Sequence, residues 1–377
     1  RNCLESRAIG TPSAVTNFFL PKLYRKGDRT VDARLEKILP LVQKPGRYIG
    51  GELNSVEKDP STVDMRFAFC FPDTYEIGMS HLGIKILYYL INEREDAYCE
   101  RVFAPWLDME EQMRNVGLPL FSLETGTPLS EFDLIGFTLQ YEMSFTTCLY
   151  MLELGGVPLL SKDRHDLRNL VVGGGPCACN PEPIADFFDL FMLGDGEEVM
   201  MDLLDLYKEY KEQGASKDEF LKAASHIGGI YVPSLYDVTY HEDGTVKAVS
   251  PVGDAPAVVR KRVVADLDSA YYPDKFLVPY IDIVHDRAVE EIYRGCIRGC
   301  RFCQAGFLYR PIREKSVDTI NAQAKSLCES TGYDEISVIS LSTSDYSGIQ
   351  PLLSDMADWT AEQKINISLP SLRIDTF

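Results

Sequence analysis

The segment Glu291–Cys303, with the sequence EIYRGCIRGCRFC, decides how the last part of the chain is interpreted. It starts as a short apolar strand and continues into a loop rich in glycine and arginine. Cys296, Cys300 and Cys303 have the spacing Cys-x3-Cys-x2-Cys. Three thiolates spaced in this way can bind three irons of a 4Fe–4S cluster and leave the fourth iron open to a small molecule.

Two other interpretations of the three cysteines remain open. A structural zinc ion would need a fourth ligand, for which Cys328 or His285 is the candidate. Zinc sites are usually built from two close ligand pairs, which this spacing does not provide. The thiols could also be unrelated residues of a core, although a loop rich in glycine and arginine is poor core material.

Upstream of this segment, residues 61–215 alternate short apolar runs with helical patterns. The predicted strands are Phe67–Phe71, Glu100–Ala104, Leu134–Leu139, Leu170–Val172 and Leu190–Leu193. The predicted helices are Gly78–Ile91, Asp108–Val116, Met143–Leu154 and Glu197–Glu212. Such alternation predicts an α/β fold with a doubly wound parallel sheet. The loops that follow the strands should then share one edge, where these sheets bind ligands.

The remaining residues are divided into three regions. Residues 1–60 form an N-terminal extension with one predicted helix, Val31–Gln43. Residues 216–287 are predicted to be a connector with a helix and a β-hairpin: Lys217–Ala224, Asp237–Tyr240 and Val246–Val249. Residues 288–377 should alternate strands with helices again: Glu291–Tyr293, Val317–Ser330, Glu335–Leu341, Ile349–Thr360 and Ile365–Leu369.

Composition excludes several classes of protein. The 377 residues contain 38 Lys and Arg against 57 Asp and Glu, a net charge of −19, which argues against a general nucleic-acid binder. No apolar run approaches the roughly 18 residues of a membrane span, and no secretory signal is evident. Ten cysteines are too few for a disulfide scaffold, so we expect a reducing cytoplasm. The ends at Arg1 and Phe377 suggest a fragment.

The cysteine loop resembles the signature of the radical S-adenosylmethionine (SAM) superfamily, whose fold is a partial (βα)6 barrel. The resemblance implies that Cys296, Cys300 and Cys303 hold the 4Fe–4S cluster. The residues implied to contact SAM are Phe302, Ser342, Thr343, Ser344 and Arg373. Phe302 would lie near the adenine, the three hydroxyl residues near the amino group and Arg373 near the carboxylate. A barrel of six units needs roughly 190 residues, so residues 288–377 should form an incomplete barrel.

The upstream sheet resembles the cobalamin-binding domain of cobalamin-dependent radical SAM proteins. Four stretches resemble an uncharacterised bacterial family that joins the two domains: Arg47–Lys58, Phe71–Gly83, Gly173–Pro176 and Gly194–Glu198. The residues implied to contact the corrinoid are Gly173, Gly174, Gly175, Gly194, Asp195, Gly196 and Glu197. Glycine-rich turns and acidic helix starts are also ordinary features of any doubly wound fold.

Two nearby features are interpreted more plainly. His81 lies close to the turn where related domains carry Asp-x-His-x-x-Gly, but Met79 replaces the Asp and Ile84 the Gly. We therefore expect an ordinary histidine at a helix start rather than a cobalt ligand. Cys177 and Cys179 have no partner pair in the sequence and are interpreted as loop thiols.

The resemblance implies a radical SAM enzyme that cleaves SAM to a 5′-deoxyadenosyl radical. With cobalamin, the expected reaction is methyl transfer to an unactivated carbon or phosphorus; an electron donor such as flavodoxin or ferredoxin would be a partner. Two alternatives stay open. One is a methylthiotransferase-like or other RNA-modifying enzyme without corrinoid, with an RNA or ribosome-related substrate. The other is a non-catalytic metal-binding regulator. No catalytic acid or base stands out in the sequence.

Overall fold

The computed structural model describes residues 32–376. The described residues form thirteen strands: β1 Met65–Phe71, β2 Ala97–Phe103, β3 Leu134–Thr138, β4 Leu170–Gly174, β5 Leu190–Met192, β6 Ile230–Tyr231, β7 Tyr236–Tyr240, β8 Val246–Pro251, β9 Ala288–Glu291, β10 Tyr293–Arg294, β11 Arg313–Glu314, β12 Glu335–Ile339 and β13 Asn366–Ser368. The α-helices in this part of the chain are α1 Ala33–Ile38, α2 Tyr75–Gly78, α3 Leu82–Asn92, α4 Leu107–Val116, α5 Phe145–Leu154, α6 Gly196–Glu212, α7 Lys217–Ala224, α8 Ala305–Leu308, α9 Val317–Thr331 and α10 Ile349–Gln363.

The larger sheet has the order β2-β1-β3-β4-β5-β6, with the first five strands parallel and β6 antiparallel to β5. Alternate residues of β1 enter two cores on opposite faces. Phe67 and Phe69 pack with α3 and α6, whereas Ala68 and Cys70 pack with α1, α4 and α5. The predicted α/β fold with a mostly parallel sheet is therefore confirmed.

The strand order reverses between β1 and β3, which is where open α/β sheets bind ligands. The loops that follow these parallel strands lie at one edge of the sheet, as predicted. The predicted helix Gly78–Ile91 is interrupted, because α2 ends at Gly78 and α3 begins at Leu82. The side chain of His81 caps α3 by accepting the N–H of Ile84 at 3.3 Å.

The second parallel sheet has the order β13-β12-β9, so each strand lies next to the strand that follows it in this sheet along the chain. This is the arrangement expected of the first three units of a barrel. The predicted strand Glu291–Tyr293 was wrong in its bounds. It is two strands, since β9 ends at Glu291 in this sheet and β10 pairs antiparallel with β11. The ribbon β10–β11 therefore flanks residues 295–312, the loop that carries the three cysteines.

The predicted connector contains the expected hairpin, β7–β8. It also contributes β6 to the large sheet, so the sheet continues beyond residue 215. The predicted domain boundaries at residues 60, 215 and 287 remain predictions.

The predicted helix Val31–Gln43 is shorter than expected. It ends as α-helix at Ile38 and continues as a 3-10 turn to Leu41, next to Pro40. Residues 1–31, including Val31, lie outside the described part of the chain. Among the described residues, no helix has the length and apolar character that a membrane crossing requires.

Candidate functional site

A cavity of about 440 Å³ lies between the two parallel sheets. Its volume is typical of small-molecule pockets, which run from roughly 300 to 1,000 Å³. The wall from the large sheet and its helices includes Phe67, Phe69, Ile86, Leu87, Val172, Met192 and Met200. The wall from the second sheet and the cysteine loop includes Glu291, Tyr293, Arg294, Gly295, Ile339, Ser340 and Leu341. The cavity therefore joins the edge of the large sheet to the start of the cysteine loop.

Six of the seven residues predicted to contact a corrinoid line this cavity, and Gly173 does not. Gly173 is needed for packing instead, because a Cβ there would lie 2.5 Å from the Phe191 ring. Gly174 faces open space, since a Cβ would meet no atom within 4 Å. Gly175 has φ +90°, a conformation that favours glycine, and its backbone passes close to Leu139. Gly174 thus leaves the cavity room, whereas Gly175 shapes the turn.

The second predicted turn, Gly194–Glu197, is closed against another segment of the chain. Gly194 has φ +102°, and a Cβ would lie 2.0 Å from the carbonyl oxygen of Arg262. The Arg262 carbonyl accepts the N–H of Asp195 at 3.0 Å. This backbone contact explains Gly194 without any ligand.

The two carboxylates of this turn are bound to arginines that flank the cysteine loop. Arg294 donates to Glu197 at 2.5 Å and lies 3.5 Å from Asp195. Arg313 forms an ion pair with Asp195, whose carboxylate also accepts the Val264 N–H at 2.9 Å. Burial and the surrounding carboxylates oppose each other at Arg294, and the net effect is a raised pKa. Asp195 and Glu197 are therefore engaged by protein groups where a corrinoid tail was predicted.

His81 lines the cavity but uses its ring nitrogens within the protein. Nδ1 accepts the N–H of Ile84, and the side chain also interacts with Gln140. Burial lowers its pKa to about 4, so the imidazole is neutral at pH 7. This environment is that of a helix-capping histidine, in agreement with the prediction.

The cysteine loop presents three half-buried free thiols, Cys296, Cys300 and Cys303. Gly295 has φ +93°, and a Cβ there would lie 2.7 Å from the Pro311 carbonyl oxygen, so the chain turns tightly just before Cys296. Within residues 32–376, no three His, Cys, Asp or Glu side chains are arranged to hold a metal ion. The donor set fits a cluster by its chemistry, but the sulfur atoms are not gathered into one coordination site.

Other contacts attach the loop to its surroundings. Arg298 Nε donates to Asp345 Oδ2 at 2.8 Å, and this bond lowers the pKa of Asp345 to about 2. At the far end, Lys261 Nζ donates to the Leu308 carbonyl at 2.7 Å and to that of Arg310. The loop is thereby held to the turn after β12 and to the connector.

The residues predicted to contact SAM lie in two environments. Ser342 and Thr343 are buried, and Ser342 Oγ donates to Asp345 at 2.8 Å. Ser344 Oγ accepts the Arg373 N–H at 3.3 Å, and the Arg373 side chain pairs with Asp375 at 2.7 Å. The Arg298–Asp345 pair brings this group next to the cysteine loop. Phe302 is 92% exposed and lies outside the group, so its predicted place near an adenine remains a prediction.

The zinc alternative finds no support in the described residues. Cys328 lies on the buried face of α9 in the apolar core, and the ring of His285 contacts Arg287 at 3.0 Å. Burial raises the pKa of Cys328 to about 11, which disfavours the thiolate that a metal needs.

Cys179 lines the cavity, whereas Cys177 is buried.

Reasoning from sequence missed the arginines as functional positions. The sequence showed only that the loop is rich in arginine, yet Arg294 and Arg298 bind specific carboxylates. The antiparallel pairing of Arg294 with Arg313 is the feature that was not predicted. The sequence signal for this pairing was the position of Arg294 before the three cysteines and of Arg313 after them.

Part of the chain is similar to a known protein family. Residues 83–233 match the family model described as "Radical SAM proteins, N-terminal". The match confirms the predicted relationship to the radical SAM superfamily and agrees with the prediction of an enzyme. Residues 83–233 are thus similar to the N-terminal region of radical SAM proteins.

Individual relatives are similar over most of the chain. An uncharacterized protein of Methanocaldococcus jannaschii is 26% identical over 312 residues, covering 82% of this chain and 55% of that protein. The chain thus spans about half the length of this curated relative.

Two solved structures are also similar. The radical SAM methyltransferase TsrM from Kitasatospora setae, with cobalamin and a [4Fe-4S] cluster bound, is 12% identical with a TM-score of 0.49, covering 81% of this chain and 56% of that one. The cobalamin-dependent radical SAM enzyme OxsB is 15% identical with a TM-score of 0.47, covering 81% and 38%.

Proposed function

We propose that this chain belongs to a radical SAM enzyme in which Cys296, Cys300 and Cys303 hold a 4Fe–4S cluster. The observation that carries the proposal is the position of these three free thiols on a loop that leaves the cavity at Gly295. None of the three cysteines belongs to an apolar core of residues 32–376, and none is in a disulfide there. Three-cysteine ligation leaves one iron for SAM.

When bound, the cluster and SAM would supply one-electron cleavage of a carbon–sulfur bond and a 5′-deoxyadenosyl radical. The protein would hold, orient and shield the reactants. Arg298 and Asp345 would fix the loop beside Ser342–Ser344, where hydroxyl groups can accept hydrogen bonds from an ammonium group. Arg373, in the same group, can form a charge-assisted bond with a carboxylate.

We further propose that the cavity receives part of a corrinoid, which would make the reaction a cobalamin-dependent methyl transfer to carbon or phosphorus. The wall formed by Phe67, Phe69 and Met200 is apolar, and Gly174 leaves open space at the edge of the sheet. A corrinoid with its nucleotide tail is larger than the ligands typical of pockets of this size. We therefore expect the rest of the cofactor to extend beyond the cavity.

Two further expectations belong to the same proposal. An enzyme of this type needs one electron at low potential, so we expect a small donor such as flavodoxin or ferredoxin. Thiolate ligands and an oxygen-sensitive cluster require a reducing cytoplasm.

The first test is cluster loading of cysteine variants. Cys296→Ala, Cys300→Ala and Cys303→Ala should each lose most of the iron and the visible absorption after anaerobic reconstitution. Cys328→Ala is the matched control, because the Cys328 thiol lies on the buried face of α9 in the apolar core. Equal loss in all four variants would point to ligation by four cysteines and refute the proposed ligand set.

The corrinoid is tested separately. Hydroxocobalamin should bind the wild-type chain with a shift in its visible spectrum. Gly174→Leu, which would fill the open side of the cavity, should weaken this binding at least about tenfold, since the added side chain occupies ligand volume. Ala215→Leu is the control, because Ala215 lies outside the cavity lining. The neighbouring Gly214 is unsuitable, since its φ of +65° would strain any added side chain. No uptake by the folded wild-type chain would leave a radical SAM enzyme without corrinoid.

A further inference from the structure

The loop that carries the three cysteines is bounded at both ends by the short ribbon β10–β11. Arg294 on β10 and Arg313 on β11 are paired directly across this ribbon. Two cations in this position repel each other unless nearby anions compensate their charge. Their side chains are only 13% and 6% exposed, so water offers little compensation.

The compensating carboxylates come from the other sheet of the molecule. Glu197, in the first turn of α6, accepts from Arg294 at 2.5 Å, and Asp195, immediately before α6, pairs with Arg313. Glu291, the last residue of β9, also accepts a hydrogen bond from Arg294 at 2.9 Å. Each end of the loop is therefore fixed by a carboxylate at the N-terminal end of α6.

We propose that Asp195 and Glu197 are positioning residues for the cysteine loop rather than ligands of a corrinoid tail. Through Arg313 and Arg294 they set where the loop enters and leaves the ribbon, and thus how Cys296 and its neighbours face the cavity. The inference rests on the proposed function for its meaning, since the loop is the proposed cluster site. It also assigns a specific task to the large sheet, which is to hold the loop of the second sheet in place.

Glu197→Gln is the test variant, and Glu198→Gln is its matched control. Glu198 is the next residue on the same helix, but it is half exposed and pairs with Arg262 instead of an arginine of the ribbon β10–β11. In metal-free protein, the alkylation rates of Cys296, Cys300 and Cys303 by iodoacetamide are followed by mass spectrometry. Breaking a buried ion pair should open the loop, so Glu197→Gln should raise these rates at least about tenfold. Glu198→Gln should leave them unchanged.

The same spectra contain an internal control for unfolding. Cys99 is fully buried in β2, so its alkylation reports general loosening of the protein. Acceleration of the loop thiols with Cys99 unchanged supports the proposal. Equal acceleration of Cys99, equal acceleration in Glu198→Gln, or no change in Glu197→Gln would each overturn it. Asp195→Asn, which keeps an acceptor for the Val264 N–H, is the second variant and should behave like Glu197→Gln.

A second measurement uses the cluster-loaded protein and separates positioning from simple stability. The low-temperature electron paramagnetic resonance spectrum of the reduced cluster with SAM should change in Glu197→Gln and match wild type in Glu198→Gln. Identical spectra in the two variants would contradict the positioning role. A wild-type chain that takes up no cluster would refute the proposed function, while the alkylation experiment would still decide how the loop is held.

Discussion

Two arginines in this molecule have similar partners and different surroundings. Arg101 on β2 is fully buried and donates to Glu52 at 2.7 Å and to Glu124 at 2.6 Å. Arg294 on β10 binds Glu197 and Glu291 and is 13% exposed. None of the Arg101 group lines the cavity, whereas Arg294, Glu197 and Glu291 all do.

The difference concerns what each arginine joins. Arg101 joins Glu52, from the segment before β1, to the sheet, and Tyr75 donates a further bond to Glu52 at 2.9 Å. Burial and the Arg101 charge oppose each other at Glu52, and the charge prevails, so its pKa is lowered. The cluster around Arg101 therefore stabilises the large sheet. Arg294 instead joins two sheets at the base of the cysteine loop, so its effect should be local.

The largest effect on stability is expected at Arg101. Arg101→Met would leave the buried carboxylates of Glu52 and Glu124 without a cation, which costs roughly 3–5 kcal/mol. Urea denaturation followed by circular dichroism measures the loss. Arg114→Met, at a half-exposed arginine paired with Glu110 and Glu153, is the control and should lose less than about 1 kcal/mol. Equal losses would remove the distinction between buried and surface pairs.

A smaller effect on stability is expected at Arg294. Arg294→Met should cost about 1–3 kcal/mol, because the pair is partly exposed and the loop can open to hydrate the carboxylates. Hydrogen exchange should show loss of protection in residues 293–314 and little change in β1 or β3. A loss as large as that of Arg101→Met, with protection lost throughout the large sheet, would make Arg294 a general stability residue.

The smallest effect concerns His81, and it depends on pH. Burial lowers the pKa of His81 to about 4 from its ordinary 6.5, so the unfolded chain binds more protons between these values. Stability from this group is therefore fully present above pH 6.5 and is lost as the pH falls toward 4. His81→Asn, which can still cap α3, should remove less than roughly 1 kcal/mol of the change between pH 7 and pH 6. An unchanged pH profile would show that His81 is not buried as neutral imidazole.

Much of the fold could be predicted because apolar runs and turn residues are local signals. The strands of the large sheet were found within a few residues, and α7 was found with its observed bounds. Short or interrupted elements were not. β6 has two residues, and β9 and β10 are separated only by Ile292, whose apolar character continues the strand pattern.

The site was predictable to the extent that it depends on local spacing. The glycine turns lie at the edge of the large sheet that the strand pattern indicates, although Gly173 proved to be a packing residue. Their contact with a corrinoid remains a prediction. The pairing of Glu197 with Arg294 was not predictable, because the residues are 97 positions apart and meet only through the docking of two sheets. The helix dipole already accounts for an acidic residue at the start of α6, so the sequence did not indicate that Glu197 also pairs with Arg294.

The most direct test of the central claim is iron and sulfide analysis of the anaerobically purified chain, together with the effect of SAM on its electron paramagnetic resonance spectrum. The account predicts about four irons and four sulfides per chain and a spectrum that changes when SAM is added. A folded, oxygen-free protein that binds no iron and sulfide, or holds zinc instead, would contradict it.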